Sequence, residues 1–153
     1  MDIVLYQPEI PPNTGNVIRL CANLGATLHL VKPLGFELDD KRVRRAGLDY
    51  HELTNVRVHE SWDHCQTALT PQPLYGFSTR GSHRYTDVSF EANCALLFGP
   101  ETRGLPVSVR ESLASDHLLR IPMQAEARSL NLSNAVALVA YEVQRQLGFP
   151  GLV

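Results

Sequence analysis

CALLFG, residues 94–99, is apolar at every position. A strand with one wet face alternates apolar and polar side chains. A strand apolar on both faces belongs in the middle of a parallel sheet with helices above and below it. The stretch that follows, PETRGLP (100–106), stops the strand in Gly99-Pro100, sets one carboxylate, Glu101, beside it, and adds a second glycine at Gly104. A central strand that ends in bare backbone is the feature from which both fold and site are read.

Outward from 94–99, short β-branched or apolar runs at 2–7, 27–31, 55–60, 74–79 and 117–122 predict strands. Between them, apolar residues at helical spacing, polar starts and glycine stops predict helices over 13–25, 39–47, 61–69, 106–113 and 130–148. Asn13 is expected to cap the first helix and Gly25 to end it. Alternating strand and helix implies an α/β fold, a doubly wound parallel sheet in one domain over residues 1–153.

Composition narrows the function. The chain has 153 residues, 44% apolar and 20% charged, with a net charge of −2. Bulk charge does not suit it to nucleic acid, although a local basic patch does. Cys21, Cys65 and Cys94 are far apart and odd in number, which suits buried reduced thiols and a cytoplasmic protein. There is no signal-peptide pattern, no run of about 18 apolar residues and no zinc-ligand spacing, so neither membrane nor metal is expected. The six histidines are expected to be scattered and solvent-facing. The first strand is followed by PEIPPNTGN (8–16), which is neither G-x-G-x-x-G nor a P-loop.

Unusual composition collects at strand ends: FSTRG (77–81), FGPETRG (98–104) and IPMQAEARSLNLSN (121–134). Ligands of open α/β sheets bind outside the carboxyl ends of the strands. Gly99 lets backbone approach a flat ligand, and backbone at Ile121 and Met123 can meet a base edge. Residues 130–141 are apolar almost all round the last helix, which predicts that a second subunit covers the face its own sheet does not.

NTGNVIRLCAN (13–23), LLFGPETRGLP (96–106) and IPMQAEARSLNLSNAVALVAYE (121–142) resemble the three motifs of the SPOUT class of S-adenosylmethionine-dependent RNA methyltransferases. PEIPPNTGN, DDKRVRRAGLDYHE (39–52) and RQLGFPG (145–151) narrow the likeness to small members that methylate the 2'-oxygen of the wobble ribose, position 34, of tRNA. The likeness runs from Ile3 to Gly151, and nothing is carried over between Ser82 and Asn93. It implies a deep C-terminal trefoil knot, bent S-adenosylmethionine giving S-adenosylhomocysteine, and a homodimer with its site at the interface. It implies leucine tRNA isoacceptors as substrate. Another tRNA or rRNA site, or RNA binding without catalysis, stays open.

The same resemblance implies residue roles. Gly99 would face the adenosine, Ile121 and Met123 the adenine, Phe77 and Ser78 the ribose, with Ser129 and Leu130 covering the other side. Glu101 would lie at the methionine end or support Arg19. Arg19 would act on the 2'-hydroxyl as base or, more easily for a permanently charged guanidinium, by stabilising the alkoxide. Asn13, Ser129 and Asn131 complete the catalytic set. Lys41, Arg42, Arg44 and Arg45 would grip RNA phosphates, and Tyr141 would stack or hydrogen-bond at the dimer cleft.

Overall fold

The computed structural model describes residues 1–38, 53 and 55–153. The strands are β1 (Asp2–Tyr6), β2 (Thr27–Val31), β3 (Val56–His59), β4 (Leu74–Phe77), β5 (His83–Arg84), β6 (Ala95–Phe98) and β7 (Leu118–Arg120). Among the described residues they form one sheet in the order β3-β2-β1-β6-β4-β7-β5, with every pair parallel. The opening stretch sits where its composition places it: β6 lies between β1 and β4 and is buried along its whole length.

The sheet is doubly wound. Among the described residues its helices are α1 (Pro11–Leu24), α2 (Trp62–Leu69), α3 (Val107–Glu111) and α4 (Leu132–Leu147). Alternate residues of each strand serve opposite faces. Ile3, Leu5, Leu96 and Phe98 pack with Val17, Ile18 and Cys21 of α1 and Val136, Val139 and Val143 of α4. Val4, Ala95 and Leu97 pack with Cys65 and Leu69 of α2 and Val109 of α3. The apolar positions of β1 and β6 thus have helices opposite them on both faces.

Helix ends follow local chemistry, with one correction. Gly25 (φ 63°) and Gly148 (φ 78°) take the left-handed conformation that ends α1 and α4. In each, the next residue's N–H reaches back five positions, Ala26 to Cys21 and Phe149 to Gln144. Ser61 Oγ accepts from His64 N–H at the start of α2, as expected. Asn13, however, is not the cap of α1. That helix begins two residues earlier, after Ile10, with prolines at its first two positions. Proline has no N–H to satisfy, so the first turn needs less capping than a polar start would imply.

The short strand β5, its following 3₁₀ turn (Tyr85–Asp87) and their pairing with β7 were not legible. Two exposed residues carry no hydrophobic pattern. The segment is fastened by Gln146 of α4, which donates to Val88 O and accepts from Phe90 N–H. The predicted helix 39–47 lies outside the described residues.

Candidate active site

Three neighbouring strands, β6, β4 and β7, release their chains at the same end of the sheet. The loops that follow enclose a cleft of about 710 Å³, within the range that holds small cofactors. Phe77 and Phe98, the last residues of β4 and β6, stack with centroids 4.8 Å apart and planes 12° apart. They belong to the lining together with Leu105, Ile121, Met123 and Leu132. All eight residues expected around the cofactor, Phe77, Ser78, Gly99, Glu101, Ile121, Met123, Ser129 and Leu130, line this one cleft, as do Asn13 and Asn131. Sequence separations of up to 118 residues, from Asn13 to Asn131, collapse here because parallel pairing aligns strand ends.

A chain of polar contacts clasps the three motifs together. Glu101 accepts from Glu9 N–H (2.8 Å), Ile10 N–H (3.0 Å) and Asn13 Nδ2 (3.3 Å). Asn13 Oδ1 accepts from Asn131 Nδ2 at 3.0 Å, and Asn131 Oδ1 accepts from Asn134 N–H as the cap of α4. The carboxylate therefore sits at the positive end of α1, where backbone donors and the helix dipole favour it. Thr102 hydroxyl and the Arg103 guanidinium meet the Glu9 carboxylate, a second tie between the same two loops. Glu101, Asn13 and Asn131 order the cleft by bonding one another. Their side chains are the means by which loops from distant parts of the sequence hold one shape.

Gly99, which lines the cleft, is also required by the protein's own packing. A Cβ there would collide with the backbone of Gly104 and Leu105. The turn from Pro100 to Gly104, closed by Gly104 N–H to Pro100 O at 2.9 Å, folds back onto the strand end. Gly104 turns it at φ 66°. Gly99 thus admits protein backbone, and the cleft wall depends on it.

The SpoU rRNA Methylase family pattern matches residues 1–141. The chain belongs to this family. It is 55% identical over 152 residues to the tRNA (cytidine(34)-2'-O)-methyltransferase of Methylovorus glucosotrophus, covering 99% of each chain. It is similar to a solved structure described as giving structural insights into the 2-OH methylation of C/U34 on tRNA, with 46% identity, TM-score 0.88, and coverage of 96% of this chain and 95% of that one. It is also similar to the SpoU methyltransferase AviRb from Streptomyces viridochromogenes in complex with AdoMet, with 30% identity, TM-score 0.77, and coverage of 96% and 57%.

Not every predicted residue of this SpoU methylase reaches the cleft. Arg19 is on α1, six residues beyond Asn13, which puts it about 9 Å along the axis and on a different face. It is exposed and is not part of the cleft lining. Tyr141 is 47% exposed on α4 and also stands outside the lining. Lys41, Arg42, Arg44 and Arg45 lie outside the described residues. Ser129 is exposed at the cleft.

Sequence reasoning missed a set of cations. Arg80, Arg103, Arg110 and Arg128 all line the cleft, and Arg110 Nε donates to Leu105 O at 3.2 Å. A signal was present: the tripeptide Thr-Arg-Gly follows β4 at 79–81 and recurs after β6 at 102–104. Adjacent parallel strands carry both copies to one rim. A chain of net charge −2 can in this way present a basic mouth.

Proposed function

We propose that this protein transfers a methyl group to the 2'-oxygen of the wobble ribose of tRNA, with S-adenosylmethionine as donor and leucine isoacceptors as the finer substrate class. The observation that carries the reading is the cleft itself. Three separately recognised motifs meet there, clasped by Glu101, Asn13 and Asn131. The donor fits: the stacked Phe77 and Phe98 offer a flat apolar surface, and the strand-end backbone beside Gly99 and Ile121 offers polar groups for a nucleoside. When bound, the donor supplies a methyl group already activated on a positive sulfur.

The protein's part is then placement and charge. Phe77, Ile121 and Leu130 hold the nucleoside, and Ser129 and Leu130 keep water from its exposed side. The four cleft arginines attract phosphate groups beside the target ribose, so RNA affinity falls as salt rises. Arg19 stabilises the negative charge that develops on the 2'-oxygen while the hydroxyl proton passes to solvent water. Because α1 carries Arg19 away from its own cleft, it acts in the cleft of the other subunit of a homodimer. Tyr141 and Leu138, exposed on α4, belong to that interface. A deep trefoil knot in the C-terminal segment goes with this reading, as does work in the cytoplasm, where tRNA is found.

Methyl transfer to tRNA from a strain lacking this enzyme, followed by nucleoside mass spectrometry, is the direct test. Modification confined to position 34 is expected, and methyl groups only at another tRNA or rRNA site, or none, would overturn it. Arg19→Ala should lower the single-turnover rate about 10²–10³-fold with donor affinity unchanged. Arg19→Lys should keep partial activity with an unshifted pH profile. Mixing Arg19→Ala with a Gly99→Val variant should restore activity in hybrid dimers, and failure to do so would place Arg19 within its own subunit's site.

A further inference from the structure

Far from the cleft, β2, β3 and α2 gather three side chains for which methyl transfer has no use. His29 of β2 is 2% exposed. In the β2–β3 register it pairs with Arg57, and His59 pairs with Val31, so the two histidines stand diagonally on one sheet face. Cys65 of α2 is fully buried on that face beside Val31 and Leu69. His29 Nδ1 and His59 Nε2 are 2.8 Å apart. One ligand atom from each of His29, His59 and Cys65 lies within 4.8 Å of the other two.

The other nitrogen of His29 is held by a carboxylate. Its Nε2 lies 3.2 Å from Asp2 Oδ1, and Gln72 Nε2 donates to Asp2 Oδ2 at 2.7 Å. An ionised carboxylate only accepts, so Nε2 carries the His29 proton and Nδ1 presents a lone pair. A carboxylate behind an imidazole whose second nitrogen is bare is the supporting arrangement of histidines that bind metal.

We propose that His29, His59 and Cys65 bind one divalent ion of the zinc type, fastening β3 to β2 and α2. Two imidazoles and one thiolate suit a borderline-soft cation. Cys65 is fully buried, and a thiol in apolar surroundings keeps its proton without an ion. Binding forms two metal–nitrogen bonds and one metal–sulfur bond. Cys65 releases its proton to solvent, and His59 moves its proton from Nε2 to Nδ1 and stays neutral. One proton leaves per ion. The two nitrogens need to separate only to roughly 3.3 Å, the spacing of ligands about 2.0–2.1 Å from a tetrahedral ion. One position remains for water on the partly exposed His59 side.

The need for such a fastening is visible in β3. It has four residues, lies at the sheet edge, and leaves Val58 43% exposed.

The test uses the full chain, freed of metal by chelator and titrated with Co²⁺ and then Zn²⁺. One equivalent of Co²⁺ should give tetrahedral ligand-field absorption with a thiolate-to-cobalt charge-transfer band, which Zn²⁺ abolishes. Zn²⁺ should release about one proton and raise Tm. Cys65→Ala should lose the charge-transfer band, and His59→Gln should weaken binding at least tenfold. A wild-type protein without that band, or a band that survives Cys65→Ala, would overturn the proposal. Should Cys65→Ala fail to fold, His59→Gln decides, since His59 is partly exposed: an unchanged Zn²⁺-induced shift in Tm there would overturn it equally.

Discussion

Glu101 shows how a single residue is read differently in sequence and in space. Next to a glycine-rich strand end it looks like a group for chemistry. In the fold it accepts three hydrogen bonds from residues 88 to 92 positions away. Two of those donors are backbone N–H groups at the start of a helix that has no side-chain cap. Glu101→Ala leaves them without a partner, which should cost about 1–3 kcal/mol of stability. The 100–104 turn loses its tie to α1, so donor affinity should fall with it. Urea unfolding and calorimetry with S-adenosylhomocysteine check both, and a variant as stable as wild type would show that the clasp carries no load. Gly99 follows the same logic. Its identity was legible as a close approach, and the structure adds the approach of the protein's own turn.

At the scale of elements, strands buried on both faces were the most legible. β2 spans the predicted 27–31, and β6 loses one residue at each end. The edge strand β3 was legible as well, from the run at 55–60, but a two-residue strand with exposed side chains has no burial to imprint on its sequence. β5 was missed for that reason. The histidines expected to face solvent include His29, which is buried and bonded to Asp2 and His59. This pair makes the β2–β3 edge sensitive to pH. Burial first, then the neighbouring His29, Arg57 and His64, hold the His59 imidazole below its ordinary value of 6.5. The unfolded chain therefore binds the proton more readily than the folded one. The contribution is complete above about pH 6.5 and is lost as pH falls through the folded-state value. Denaturant midpoints of metal-free protein should drop between pH 7.5 and 5.5, and His59→Gln should flatten that part of the profile. An unchanged slope in the variant would assign the titration elsewhere.

The whole molecule is organised around the end of its sheet. Sheet order, not sequence order, puts β6 beside β4 and β4 beside β7, and so makes one cleft from loops of three segments. The last helix illustrates the same point. Its all-round apolar sequence predicts cover on two sides. Its own sheet and α1 bury Val136, Val139, Ala140 and Val143 completely, while Leu138 is 42% and Tyr141 47% exposed. Those two stand on one stripe of α4 with Asn134 and Arg145, three to four residues apart. We expect wild-type protein to sediment as a dimer at micromolar concentration, and Leu138→Asp to sediment as a folded monomer with methyl transfer lost. A dimer that survives this charge would place the interface on another face.

What the sequence determined by itself was the kind of layer each segment makes. Two-sided burial, helical spacing, αL glycines and prolines act within a few residues, so CALLFG, Gly25 and Gly148 announce their structure locally. The likeness of its motifs extended that to a family, and with it to the residues that line the cleft. What only the tertiary structure decided was which of those residues touch. The Glu101–Asn13–Asn131 clasp, the four arginines at the mouth, the position of Arg19 away from its own cleft and the meeting of His29, His59 and Cys65 all join residues from separate elements. Such contacts depend on the order and register of parallel strands. No local pattern in the chain encodes them, because each partner's sequence surroundings answer to its own strand or helix.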